Sequence, residues 1–329
     1  MKPEVILDFD VPIWRFFWSD GTYKIPYEFE YNSKKYSNGI TLIQFAWNLV
    51  SERDINRIKN DIVHMPNPVL CVADIKIFEI FKKKFTCGVV LANHNAFMYE
   101  DFYQIKNIPK KYNLIVNSSF EIYKRRHLCK KIKNCVHIGY FQTNDYINNK
   151  SFFPNNGIYP NFENGKEKNK ENFNIIKTDK ITEFINESLV GGIFSSEEGA
   201  CWSSSEYLLC GIPVISTYSH GGRAHWYNEY NSIQCDDNED SIKNAFDIAI
   251  KNLNNGTFNA NKIREMHLQE MENQRNNLTN FVLDIFKKIT LNIPNFNELK
   301  NSLKHYQLSL YGGFDIQKAI IANKILNLS

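Results

Sequence analysis

The stretch VGGIFSSEEGACWSSSEYLLCGIPVISTYSHGGR, Val190 to Arg223, decides how this chain is read. Its opening apolar run suits a buried strand, a polar turn containing Gly199 follows, a short helical stretch stops at Gly211 and Pro213, and PVIST forms a second strand. Strand, helix and strand in that order make one unit of an α/β sheet. Two glutamates, Glu198 and Glu206, bracket the turn with seven residues between them. A second turn, His220-Gly221-Gly222-Arg223, follows the second strand. In an open parallel sheet both turns lie at the carboxyl ends of their strands, where such folds bind ligands.

If the helix begins near Ser203, its first-turn amides and its dipole favour an anion such as a diphosphate. Glu206 then lies in the first helical turn, where its carboxylate suits a ribose diol, and Glu198 on the loop suits hydroxyls of a sugar beyond the phosphates. Gly199, Gly221 and Gly222 permit close backbone approach. With Ala200 they are the expected backbone contacts, and Arg223 offers charge-assisted bonds to phosphate. The competing local reading is a capping box, Ser203-x-x-Glu206, which needs no ligand. It explains one feature of the stretch and leaves Glu198, the GIPV stop and the GGR turn unexplained.

The spacing from Glu198 to Glu206, the run Gly211-Ile212-Pro213-Val214-Ile215 and the turn Gly221-Gly222-Arg223 resemble the carboxyl-terminal domain of retaining GT-B glycosyltransferases, family four in particular. The likeness covers residues 110 to 290 and is weak before them. It implies two Rossmann-like domains facing across a cleft, with terminal helices crossing back to the first. It also implies a sugar contact at Glu198, a ribose contact at Glu206 and a basic pair, Lys124 and Arg125, holding the donor diphosphate. A histidine from the first domain approaches the sugar in such enzymes, which points to His94. Two departures stand out: Ala224, His225 and Trp226 intervene before Glu229 where relatives carry an acidic residue, and Ser119 stands where relatives often have an arginine.

Outward from this stretch, 329 residues are enough for two domains. A formal net charge of +3 does not imply a nucleic-acid partner. No signal peptide or bilayer-spanning run is evident, and seven scattered cysteines without a C-x-x-C pair fit reduced thiols. A cytoplasmic protein is expected, with contact to anionic lipid through the Lys124 to Lys133 region as a weaker alternative.

The domains are expected at 1–110, for the acceptor, and 111–293, for the donor, with helices at 294–329 returning to the first. Periodicity gives strands at Glu4 to Asp10, Val69 to Ala73 and Cys87 to Ala92, and helices at Thr41 to Asn60 and Ile75 to Phe85. In the second domain it gives strands at Tyr112 to Asn117, Cys135 to Tyr140 and Phe173 to Ile176. Helices are expected at Ser118 to Lys133, Asp179 to Ser188, Asp240 to Leu253 and Asn259 to Lys288. The D-x-D at Asp8 and Asp10 lacks the surroundings of a metal or phosphatase motif, and the resemblance to GT-B enzymes implies that no metal and no cofactor are needed.

The implied activity is transfer of a sugar from a nucleotide-activated donor to a glycan or lipid-linked acceptor, with retention, in bacterial surface polysaccharide or lipooligosaccharide synthesis. Two other classes stay open: a GT-B-like nucleotide-sugar epimerase or hydrolase, and a non-catalytic binding subunit of a polysaccharide-assembly complex.

Overall fold

The computed structural model describes residues 4–7, 11, 13–18, 39–45, 51–140, 154, 156–162 and 173–306. The D-x-D at Asp8 and Asp10 falls outside them. The chain divides into two units, one of residues 1–99 and 270–329, the other of residues 100–269.

The first unit is built on five strands in the order β1 (Glu4–Leu7), β2 (Ile13–Trp18), β3 (Ile40–Phe45), β4 (Pro68–Val72), β5 (Gly88–Leu91). β1 and β2 are antiparallel and the rest are parallel. All six residues of β3 are buried, as expected of a parallel strand covered on both faces. The helix expected from Thr41 to Asn60 is therefore corrected. Its first residues are strand, because Ile40, Thr41 and Ile43 are β-branched and pair with β2 and β4.

The helix itself, α1 (Glu52–Ile62), starts after Ser51, whose Oγ accepts from the Asp54 amide at 3.1 Å. α2 (Ile75–Lys84) is capped in the same way by Asp74. Ile55 and Ile58 of α1 pack with Ile43, Phe45, Leu70, Val72 and Phe81 in one core.

Among its described residues the second unit carries six parallel strands: β6 (Tyr112–Ser119), β7 (Cys135–Tyr140), β8 (Gly157–Ile158), β9 (Ser188–Ile193), β10 (Val214–Thr217) and β11 (Ser232–Cys235). Their spatial order is β11-β10-β9-β6-β7-β8. The chain starts in the middle at β6, steps outward to β8, then returns to the other side of β6 and steps outward again. That is the doubly wound order, and its switch point lies between β6 and β9.

Helices α3 (Thr178–Asn186), α4 (Trp202–Leu209) and α5 (Glu239–Asn254) complete the unit with the start of α6 (Ala260–Ile289). α6 runs on into the first unit, where its Phe281 ring lies against Gly88, and α7 (Phe296–Tyr306) follows it. Among the described residues no helix is long and apolar enough to cross a membrane.

Two expectations in this unit are corrected. No helix spans Ser118 to Lys133: β6 continues to Ser119, and two short 3-10 turns follow, Ile122–Lys124 and Arg126–Cys129. They are separated by Arg125 in the left-handed region at φ +48°. The reason is Arg126, whose guanidinium turns inward and donates to the carbonyls of Val116, Ser118 and Ile138, which pins the chain against the strand ends. Phe173 to Ile176 is likewise no strand, and only Phe173 makes an isolated bridge, to Phe162.

Candidate functional site

The carboxyl ends of β6 and β9 bring the site together. After β9 the chain runs through Phe194 and Ser195 to Glu198, then through Gly199 and Ala200 into α4. Beyond the strands this loop stays beside the one after β10: Glu197 bridges His220, and the Glu198 amide donates to the His220 carbonyl at 3.2 Å. Gly221 closes the second loop at φ +129°, a conformation that favours glycine.

α4 begins at Trp202, one residue earlier than expected, and Glu206 lies in its second turn rather than its first. It ends as expected, with Gly211 at φ +72° and its amide donating to the Leu208 carbonyl at 3.0 Å. The capping-box reading is excluded. The Ser203 hydroxyl donates to the Asn117 carbonyl at 2.5 Å, and Glu206 turns to Tyr103 and Asn117. α1, α2 and α5 each carry a side-chain cap, whereas the N-cap residues of α3 and α4 make none. The N-cap of α4, Cys201, sits at φ +54°. Among the described residues, the non-glycine residues with positive φ are Asn67, Asn134, Arg125 and Cys201. Asparagine adopts this region readily, but arginine and cysteine do not, and both of these flank the site.

Glu198 is 7% exposed. Its Oε1 accepts from the Lys124 ammonium and from the Ser195 hydroxyl, the latter at 2.7 Å. Those bonds leave Oε2 as the oxygen without a protein donor among the described residues. Burial is the largest single influence on the Lys124 pKa and lowers it, but the Glu198 carboxylate together with Cys201 and Tyr123 outweighs it, and the net shift is upward. The ammonium therefore stays charged at neutral pH.

Glu206 is 5% exposed, and burial raises its pKa to about 7 against the lowering effect of its two hydrogen bonds. The Tyr103 hydroxyl donates to Oε1 at 2.9 Å and the Asn117 side-chain amide to Oε2 at 2.6 Å.

The two arginines are placed differently from the expected phosphate contacts. Arg223 is fully buried, donating through Nη1 to Ser195 Oγ at 2.7 Å and through Nη2 to the Thr217 carbonyl. It stands behind Glu198 and holds Ser195 against it. Arg125 donates to the Phe194 carbonyl at 2.6 Å, to Thr217 Oγ1 at 3.0 Å and to Asp237 at 2.6 Å. It is a clasp across the ends of three strands. Both side chains turn inward because a guanidinium fork can satisfy several carbonyls left over where strands end.

Lys124, Glu198, Gly199, Ala200, Gly221 and Gly222 fall within the second unit on the segments after β6, β9 and β10, and Glu206 lies there on α4. His94 belongs to the first unit, in a 3-10 turn after β5 (His94–Phe97). That turn is held by α6: the Asn93 amide donates to Gln274 Oε1 at 2.8 Å, and Arg275 donates to the Ala96 carbonyl at 2.6 Å. The sequence reading missed Asn117, Tyr103 and Ser195. A polar residue closing the apolar run Leu114–Val116 is the one signal that could have marked Asn117, and nothing local marks the other two.

No family model matches the sequence, and no curated protein matches it. Solved structures do resemble it. Sucrose-phosphate synthase from Thermosynechococcus elongatus is 11% identical, with a TM-score of 0.55 over 79% of this chain and 71% of that one. Anabaena Alr3699/HepE, solved in complex with UDP, is 11% identical, with a TM-score of 0.54 over 80% of each chain. A glycosyltransferase from Rickettsia africae is 14% identical, with a TM-score of 0.53 over 84% of this chain and 77% of that one. The fold shared with them is the GT-B fold, with two Rossmann-like units.

Proposed function

We propose that the chain is a glycosyltransferase that moves a sugar from a nucleotide-activated donor to a glycan or lipid-linked acceptor. The observation that carries this reading is that the Lys124–Glu198 ion pair, on the loops after β6 and β9, and Glu206, bonded to Asn117 of β6, both lie by the switch point of a doubly wound sheet. The likeness to a solved glycosyltransferase and to a protein solved with UDP supports it.

In this reading Glu206 accepts from the ribose diol and Oε2 of Glu198 accepts from a sugar hydroxyl. The diphosphate lies against the start of α4, whose N-cap residue Cys201 makes no side-chain cap hydrogen bond. Lys124 has three N–H donors, one of them used on Glu198, so two remain for phosphate oxygens. Charge developing on the leaving diphosphate is met by these groups, which gives metal-independent stabilisation. Retention and a place in surface polysaccharide or lipooligosaccharide synthesis extend the proposal on resemblance alone, with the leaving phosphate taking the acceptor proton.

A thermal-shift panel of nucleoside diphosphates and nucleotide sugars tests the reading. A matching ligand at a hundredfold excess over its Kd raises Tm by on the order of 5 °C. Glu206→Ala is expected to lose most of that shift. Glu198→Ala is expected to keep the nucleotide response and lose the increment due to the sugar. Nucleotide release without any acceptor would favour a hydrolase or epimerase, and no response to any member of the panel would remove the proposal.

A further inference from the structure

Glu206 is held by donors on both oxygens, and those donors are themselves fixed. Tyr103 lies in the segment preceding β6 and is buried. Its carbonyl accepts from Nη1 of Arg264 on α6, and the same nitrogen donates to the Leu209 carbonyl at the end of α4. One guanidinium therefore ties Tyr103 to the helix that carries Glu206. Asn117 is tied to α4 on both sides of its side chain. Its amide donates to the Tyr207 hydroxyl at 2.6 Å, and its carbonyl accepts from the Ser203 hydroxyl at 2.5 Å.

Two donors facing two separate oxygens suit a carboxylate: a glutamine would accept from Asn117 and donate to the Tyr103 hydroxyl, leaving only one oxygen with acceptor capacity for a ligand. A carboxylate has about four acceptor positions. With one taken on each oxygen, one per oxygen remains, which suits a pair of adjacent hydroxyls better than a single donor.

We propose that Tyr103 and Asn117 are the positioning residues of this site: they fix the plane of the Glu206 carboxylate so that it takes both hydroxyls of a vicinal diol, which makes the site select a ribonucleotide over its 2′-deoxy counterpart. The inference rests on reading Glu206 as the ribose acceptor. With a freely rotating carboxylate the loss of one hydroxyl would be met by reorientation toward the other. With a fixed one the vacant acceptor is left in a dry site and the penalty is retained.

The test measures Kd by calorimetry for UDP, GDP and ADP and for their 2′-deoxy forms, on the full chain. The wild type is expected to prefer the ribo form of the nucleotide it binds by about tenfold or more, the worth of one hydrogen bond to a charged group. In Tyr103→Phe the preference is expected to fall to about threefold or less, with the loss falling on the ribo form. Adding Tyr103→Phe to Glu206→Gln is expected to change the ratio no further, because the two residues act through one interaction. Asn117→Ala, which removes the other support, provides the same readout should Tyr103→Phe fail to fold.

A wild type that discriminates while both Tyr103→Phe and Asn117→Ala keep its full ratio overturns this inference and leaves the proposed function standing. A wild type that binds ribo and deoxy forms equally overturns the ribose role of Glu206 and this inference with it. Binding of none of the six removes both this inference and the nucleotide-dependent reading.

Discussion

A carboxylate with almost no exposed surface is costly to ionise, and burial accordingly moves Glu206 from 4.5 to about 7. The folded value lies above the unfolded one, so between those limits the fold binds the proton more tightly than the unfolded chain does. The stability this supplies is complete below pH 4.5 and is lost as pH rises through about 7. A gap of this size corresponds to about 3 kcal/mol. Urea unfolding at pH 5 and pH 8 should show the wild type losing ground to Glu206→Gln as pH rises, and a constant difference between the two would contradict it. Because a diol donates to the ionised form, nucleotide affinity should rise over the same interval.

Arg223 is the second residue whose environment predicts a measurable effect. Lysine keeps the charge but cannot reach Ser195 and Thr217 from one planar fork. Arg223→Lys should cost about 2 kcal/mol in the urea midpoint analysis and weaken the response to nucleotide sugar more than to nucleotide.

At the scale of elements, the site depends on close approach between strand ends and the pieces that cover them. A Cβ at Gly139 on β7 would overlap the Ser118 carbonyl oxygen of β6, which is backbone and cannot move aside. One at Gly191 on β9 would run into the Tyr207 ring of α4, the ring whose hydroxyl accepts from the Asn117 amide. Gly256 has the same need for positive φ as other turn glycines, at +78°, but nothing lies within 4 Å of it. Gly139→Ala should therefore destabilise by about 3 kcal/mol or more, and Gly256→Ala by only about 1 kcal/mol. Thermal unfolding of the two variants checks the contrast, and equal losses would mean that the strand ends are looser than described.

At the scale of the molecule, each unit has its own sheet, and α6 contributes to both, burying Ile263 in the second and Met271, Val282 and Phe286 in the first. Units with separate cores are expected to unfold in separable steps. Of the five tryptophans, Trp202 and Trp226 lie in the second unit. A variant keeping only those two should report one urea transition, and nucleotide should move that transition while leaving the remaining far-UV signal in place. A single coincident transition by both probes would show that α6 couples the units fully.

Local pattern along the chain was enough to identify the strand, turn, helix and strand around Glu198 and Glu206, the stop at Gly211 and Pro213, and the parallel α/β class. Each of these is written in the spacing of apolar residues and in glycine and proline chemistry that acts over a few positions. The same pattern read Thr41–Phe45 as helix, because apolar residues at Leu42 and Phe45 suit either period until β2 and β4 pair with the segment. Tertiary structure alone decided that Arg125 and Arg223 turn inward to strand-end carbonyls, that Arg126 replaces a helix with two tight turns, and that Glu206 is gripped by Tyr103 and Asn117. A charged or polar side chain takes the partners that folding brings within reach, and for Glu206 one of those partners, Tyr103, lies 103 positions away in the sequence.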